Sequence, residues 1–308
     1  MTTITTMIHH IHGGAGAGNM DINESAMSLV RACRYQGECA DDYNEWAGYR
    51  SDITDYLCER MEEGSTVAIY GAGYCNDIDL RKLSQKASHI TLIDVNGEAL
   101  TAACSKYGLT KAQVSAKITD LLPIPDRAYA EYAGRCLSLC THNDKYEEAY
   151  LISALEATYE KYFGSDVRLK TEDLAQYDYT VVLGLHSQLN NIFSAIITAI
   201  DAERGVTSAE LLKKVEKVQR KYFPQIVSYV TKRILSETVK SMLLGYEVEA
   251  WSLGKSLGAV EGAVYIPDVI TGMCSEGLIS VPEVARTTWP FSQKRGIEYE
   301  MEVLTCSK

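Results

Sequence analysis

The spacing of apolar and polar positions changes period several times along the chain, and each change marks an element. From about Asp21 to Met61 the spacing is helical and predicts two helices, the second with Tyr43, Trp46, Tyr49, Ile53, Tyr56 and Leu57 on one face. Thr66–Tyr70 reads as a short strand, stops at Gly71-Ala72-Gly73 and leads to a helix predicted to begin near Asn76. His89–Asp94 is a second strand, Gly97–Lys106 a helix, and Ala112–Ile118 a third strand running into Thr119-Asp120. Strands alternating with helices over so short a span imply parallel strands joined by right-handed crossovers.

Beyond Pro123 and Pro125 the pattern is helical from Asp126 to Phe163, as in an insertion. Asp178–Leu185 is a buried strand, and helix is predicted over Asn190–Ala202 and Ser208–Gly245. Ala259–Ile266 is a further strand candidate. In Ile297–Thr305, Tyr299, Met301 and Val303 alternate with Glu298, Glu300 and Glu302, which predicts an antiparallel strand at or near a sheet edge. The fold class expected is α/β, a Rossmann-like doubly wound, mostly parallel sheet with an antiparallel last strand, N-terminal helices and helical insertions. Residues 1–62 are expected to form an arm and a helical lid, and residues 63–308 a cofactor-binding domain with insertions near 126–170 and 200–248.

Composition narrows the function. The 308 residues carry 30 Lys plus Arg against 41 Asp plus Glu, a net charge of -11, so no broad cationic face is available for a nucleic-acid backbone. Apolar runs such as Tyr179–Leu185 and Ile192–Ile200 stop short of the roughly 20 residues a membrane span needs. Nine cysteines lie at irregular spacings and the first residues lack a secretory pattern, which points to a reduced, cytoplasmic setting. Cys136, Cys140 and His142 share a helix-like stretch, but structural zinc takes four ligands in tighter knuckles, so no metal is expected. Met1–Asn19, with His9, His10, His12 and a glycine run, reads as a mobile arm. Lys213 to Lys221 reads as a solvated helix face.

The chemistry concentrates at the glycine turn. Gly71 and Gly73 let the backbone turn sharply and approach a ligand, and Asp94, at the end of the next strand, can accept two hydrogen bonds from ribose hydroxyls. A nicotinamide dinucleotide and S-adenosylmethionine both use such a turn and acid. A pyrophosphate wants the bare positive end of a helix, whereas here Asn76 and the carboxylate of Asp77 follow the turn. The ammonium and sulfonium of S-adenosylmethionine tolerate that acid.

Gly71–Leu80 resembles the first motif of class I S-adenosylmethionine-dependent methyltransferases, in particular bacterial members reading Gly-Ala-Gly-x-Cys-Asn-Asp-x-Asp-Leu, with Tyr74 and Ile78 at the free positions. Ile69 and Cys75 stand where many members carry an acid and a third glycine. The resemblance implies that Gly71, Ala72, Gly73, Asn76 and Asp77 form the cofactor turn. It also implies that Asp94 holds the ribose, Val95 and Leu121 flank the adenine, Asp120 reaches its amino group, and Gly184 opens the loop facing the transferable methyl. Trp289–Cys306 is similar to the antiparallel last hairpin of that fold.

Tyr49 or Arg50 is a candidate for the methionine carboxylate. Tyr43 and Trp46 on the lid and Gln188 on the loop are candidates for substrate contacts. His186, in Leu185-His186-Ser187-Gln188, stands where a general base would be wanted. The loop lacks the Asn/Asp-Pro-Pro-aromatic run with which amino-group DNA methyltransferases clamp a flipped base, so the acceptor expected is a small molecule or a peptide side chain, not nucleic acid. Two other readings stay open: a nicotinamide oxidoreductase using Gly71, Gly73 and Asp94, and a non-catalytic scaffold of the same fold.

Overall fold

The computed structural model describes residues 22–34, 43–142, 145–164, 174–204 and 209–308. The expected arm, Met1–Asn19, lies outside the described residues. Helices α1 (Ile22–Arg34) and α2 (Ala47–Arg60) form where the helical spacing places them. Strand β1 (Thr66–Tyr70) is followed by the one-turn helix α3 (Leu80–Leu83), β2 (His89–Asp94), α4 (Gly97–Tyr107) and β3 (Val114–Ile118). Helices α5 (Asp126–His142) and α6 (Lys145–Phe163) fill the stretch after the prolines, and β4 (Tyr177–Leu183) precedes α7 (Ile192–Arg204) and α8 (Ala209–Ser236). The chain closes through β5 (Thr238–Ser252), β6 (Lys255–Ala259), α9 (Ile266–Ser275), β7 (Glu283–Ser292) and β8 (Ile297–Ser307).

The elements fall into two compact units interleaved along the sequence. One contains α1, α5, α6, α7 and α8 as far as Ile226; the other contains the sheet with α2, α3, α4, α9 and the end of α8. The chain therefore does not divide at residue 62, because α2 buries Tyr49, Ile53 and Leu57 in the core of the sheet unit. In the helical unit, Tyr129, Tyr132 and Tyr159 surround the buried ring of Phe193 at centroid distances of 5.1, 4.8 and 5.5 Å. Arg34 pairs with Asp126 at 2.7 Å across α1 and α5.

The sheet runs β3-β2-β1-β4-β5-β8-β7, with β6 on β5. The first five strands are parallel; β8 is antiparallel to β5 and β7 antiparallel to β8. This is the α/β class expected, with its antiparallel C-terminal hairpin. Val67, Ile90, Leu92 and Val181 are fully buried, which is why β1, β2 and β4 read as continuous apolar runs instead of alternating ones. The sequence order of strands reverses between β1 and β4, the switch point at whose carboxyl ends open α/β sheets bind their ligands.

Three expectations are corrected. Helix α8 ends at Ser236, and Thr238–Ser252 is the central strand β5, so the region near 200–248 is not an insertion throughout. The run Met242-Leu243-Leu244 is buried on both faces of the sheet, and such a run cannot be told from helix by periodicity. Ala259–Ile266 is not a strand: β6 ends at Ala259 and Pro267 stands in the first turn of α9. The helix after the glycine turn starts at Leu80, where the carboxylate of Asp79 accepts the N–H groups of Arg81 and Lys82, and not near Asn76. Strand β8 is antiparallel and lies next to the edge strand β7, near the edge as expected. Among the described residues no helix is long and apolar enough to cross a membrane.

One buried ion cluster ties the sheet together. Tyr70 Oη donates to Glu237 Oε2 at 2.8 Å, with Arg233 Nε and Lys117 Nζ at 3.9 and 4.0 Å from that carboxylate, which is 1% exposed. Tyr70→Phe removes the nearest donor to a buried charge and is expected to cost about 1–3 kcal/mol. Urea unfolding should show a lower midpoint at an unchanged slope; an unchanged midpoint would contradict this account.

Candidate functional site

Leaving β1, the chain passes through Gly71 at φ +66° and Gly73 at +46°, and Cys75 also adopts a positive φ of +49°. A Cβ on Gly71 would lie 2.8 Å from Leu185 Cδ1, so the turn excludes a side chain twice over, by conformation and by space. Asp94, at the end of β2, fastens the turn. Its Oδ2 accepts the N–H of Gly73 at 2.9 Å and its Oδ1 the N–H of Asn96 at 2.7 Å. Three further side chains satisfy the carbonyls of the turn. Lys106 Nζ donates to Tyr74 O and Asn76 Oδ1, both at 2.7 Å, and Tyr107 Oη donates to Ile78 O at 2.7 Å with Cys75 O at 3.0 Å. Arg50 Nη1 donates to Asn76 O at 2.9 Å and to Tyr43 O at 2.6 Å.

The structure thus brings together Gly71, Ala72, Gly73, Asn76, Asp77 and Asp94, with Val95 following directly. Asp120 and Leu121 follow β3, next to β2 in the sheet, and their carbonyls accept from Arg233 Nη1 at 3.1 and 2.8 Å. Burial raises the Asp77 carboxyl to about 6, against the pull of Lys106 and Arg50. Burial also lowers the Lys106 ammonium, with the Arg50 charge working in the same direction.

Past β4, Gly184 takes φ +57°, and a Cβ there would lie 2.6 Å from the Trp289 ring. His186–Gln188 forms a single 3-10 turn. The ring of His186, the candidate base, is fully buried: Nε2 pairs with Thr231 Oγ1 at 3.0 Å, Nδ1 has no hydrogen-bond partner among the described residues, and burial lowers its pKa to about 4. A ring held neutral by burial anchors the loop to α8 through Thr231. Gln188 Nε2 donates to Gly184 O at 3.1 Å. Ser187 Oγ instead donates to Glu247 Oε1 on β5 at 2.7 Å, and Glu247 is 2% exposed.

The tyrosine-rich face of α2 is packed and does not stand open as a lid. Tyr49 stacks on Trp289 (5.8 Å, 18°), Trp46 meets Trp289 edge-on at 4.9 Å, and Trp46 Nε1 donates to Phe291 O at 3.3 Å. Tyr43 goes elsewhere, lying over the guanidinium of Arg50 at 3.7 Å and the ammonium of Lys106 at 4.3 Å. Sequence reasoning missed Glu247, Lys106 and Tyr107, and met Trp289 only as part of a hairpin. The signal for Glu247 was a lone acid within Leu243-Leu244-Gly245-Tyr246-Glu247-Val248, masked by extending the preceding helix over it.

No family model matches the chain, and no curated protein matches it. Solved structures similar to it include an S-adenosylmethionine-dependent methyltransferase from Methanosarcina mazei (10% identity, 82% of this chain and 96% of that one, TM-score 0.39). They also include TehB from Haemophilus influenzae (12%, 88% and 65%, 0.42) and TrmK from M. capricolum in complex with S-adenosyl-homocysteine (10%, 83% and 67%, 0.35). Scores this low leave the fold to be read from the sheet order itself, which is that of the Rossmann-like methyltransferase fold.

Two predictions follow from the charges at the site. Because the folded state holds the Asp77 proton to about pH 6, above the ordinary value of 3.8, folding binds protons and stability falls as pH rises through that window. Asp77→Asn should therefore be more stable than the parent above pH 6, with the difference closing below pH 4, in thermal unfolding followed across pH. His186 has the opposite sign: its folded value near 4 lies below 6.5, so its contribution is full above pH 6.5 and is lost as pH falls toward 4. His186→Gln should flatten that acid limb of the unfolding profile, and an unaltered limb would show that His186 is not the group responsible.

Proposed function

We propose that the chain is an S-adenosylmethionine-dependent methyltransferase acting on a small molecule or a peptide side chain. The observation that carries this reading is the glycine turn, with Gly71 and Gly73 at positive φ, at the strand-order reversal, with the carboxylates of Asp94 and Asp77 beside it. A second acid at the turn opposes a pyrophosphate and suits a ligand bearing an ammonium and a sulfonium. The residues fit that group: Asp94 for the ribose hydroxyls, Val95 and Leu121 for the adenine faces, Asp120 for the adenine amino group, and Asp77 with Tyr49 or Arg50 for the methionine end. When bound, the cofactor supplies a methyl group already activated by the positive sulfur.

The protein's own contribution is alignment and exclusion of water. Gly184 keeps the loop after β4 free of a side chain, and the rings of Trp46, Tyr49 and Trp289 close the space beside it. His186, with its ring buried on Thr231, is assigned no proton transfer in this reading.

Calorimetric titration of the purified protein with S-adenosylhomocysteine, and with NAD and NADP in parallel, tests the reading. Only the adenosyl product is expected to bind, and Asp94→Ala, which removes the ribose acceptor, should weaken it at least tenfold, about 1.4 kcal/mol. Binding of a nicotinamide dinucleotide in its place would overturn the proposal in favour of an oxidoreductase.

A further inference from the structure

Glu247 is a buried carboxylate with unfinished chemistry. Its Oε1 accepts from Ser187 Oγ at 2.7 Å, and its Oε2 has no hydrogen-bond partner among the described residues. Burial raises its pKa; the bond from Ser187 and its own backbone N–H work against that, and no Lys or Arg of the described residues contributes. A carboxylate withdrawn from water without a cation or a full set of donors is costly, and such groups are retained where a ligand completes them.

The surroundings are aromatic. The Trp289 benzo edge and Glu247 Oε1 both lie against the position a Gly184 Cβ would occupy, at 2.6 and 3.4 Å from it. The negative charge of Glu247 is felt by the hydroxyls of Tyr49 and Tyr299, whose pKa values it helps to raise. Tyr49 Oη is a second buried polar atom without a partner among the described residues. Tyr49 is 4% exposed, so two buried polar atoms that sense one another electrostatically are both left without a partner. Strand β5 breaks register with β8 between Glu247 and Glu249, and a bulge of this kind re-aims a side chain. The re-aimed group stands beyond Gly245, the last β5 residue paired with β4, beside the loop that follows β4.

We propose that Glu247, walled by Tyr49, Trp289 and Tyr299, is the acceptor subsite of this enzyme and that the methyl acceptor is an amine that enters as an ammonium ion. This rests on the methyltransferase reading above. The ammonium supplies the missing cation to Oε2, and the ring faces add cation–π attraction in a dehydrated setting. One proton then passes from nitrogen to Oε2, which leaves a neutral carboxyl and a neutral amine whose lone pair is free to attack. An alcohol or thiol acceptor can give Oε2 one hydrogen bond, but it brings no positive charge to balance a buried carboxylate.

The chain has three tryptophans, Trp46, Trp251 and Trp289, and two of them belong to this cluster, so their fluorescence reports on it. The experiment titrates the full chain, saturated with S-adenosylhomocysteine, with n-propylammonium chloride and in parallel with n-propanol at matched ionic strength. A saturable change with the ammonium alone, weakened at least tenfold in Glu247→Gln, is the result expected. No saturable change, an equal response to the alcohol, or an undiminished response in a folded Glu247→Gln protein would overturn the inference. The comparison of charged and neutral probes in the parent protein decides the matter even if the variant fails to fold. If S-adenosylhomocysteine does not bind yet the ammonium response persists and depends on Glu247, the methyltransferase reading fails while the cation subsite stands.

Discussion

The contact between Asp94 and the N–H of Gly73 is the constraint on which the site depends. A buried parallel strand must reverse direction at the edge of the sheet without a side chain to brace it, and each peptide group it turns away from the ladder needs a new partner. Here the partner comes from the neighbouring strand. The same carboxylate takes the N–H of Asn96, whose side chain in turn caps α4 through the N–H of Ala99, so the ends of β1 and β2 and the start of α4 are fixed as one body. The far side of the turn is held by Lys106, Tyr107 and Arg50, all directed at carbonyls.

That arrangement separates two kinds of residue near the turn. Lys106, Tyr107 and Arg50 donate to the carbonyls of the turn, while Asp77 and Glu247 keep raised carboxyl pKa values because burial outweighs the groups that lower them. The difference is electrostatic. A cation that donates to neutral carbonyls has its hydrogen-bonding need met, but it does little for a carboxylate a few atoms away in a medium that still screens.

The aromatic cluster on the hairpin β7–β8 has a second effect. Trp289 reaches over Gly184 and touches Trp46, Tyr49, Phe291 and Tyr299, so the loop after β4 is packed from above by residues distant in sequence. This packing explains why α2 belongs to the sheet unit and is not a lid. It also explains the fate of His186, which is turned away from the cluster and onto Thr231.

The sequence by itself determined the parallel core and the turn. Short apolar runs bounded by Gly71-Ala72-Gly73, Asp94 and Asp120 specify strands, because each is too brief for a buried helix and stops at a turn or an acid. The alternation in Ile297–Thr305 likewise specified a strand. Tertiary structure alone decided what sequence periodicity could not. Met242-Leu243-Leu244 is helical or extended according to its neighbours, and pairing with β4 and β8 made it a strand, which brought Glu247 to the site. The same applies to side chains: His186 and Tyr43 stood beside the right loops in sequence, but a rotamer turned toward Thr231 or Arg50 is chosen by packing from other elements, and no local pattern encodes it.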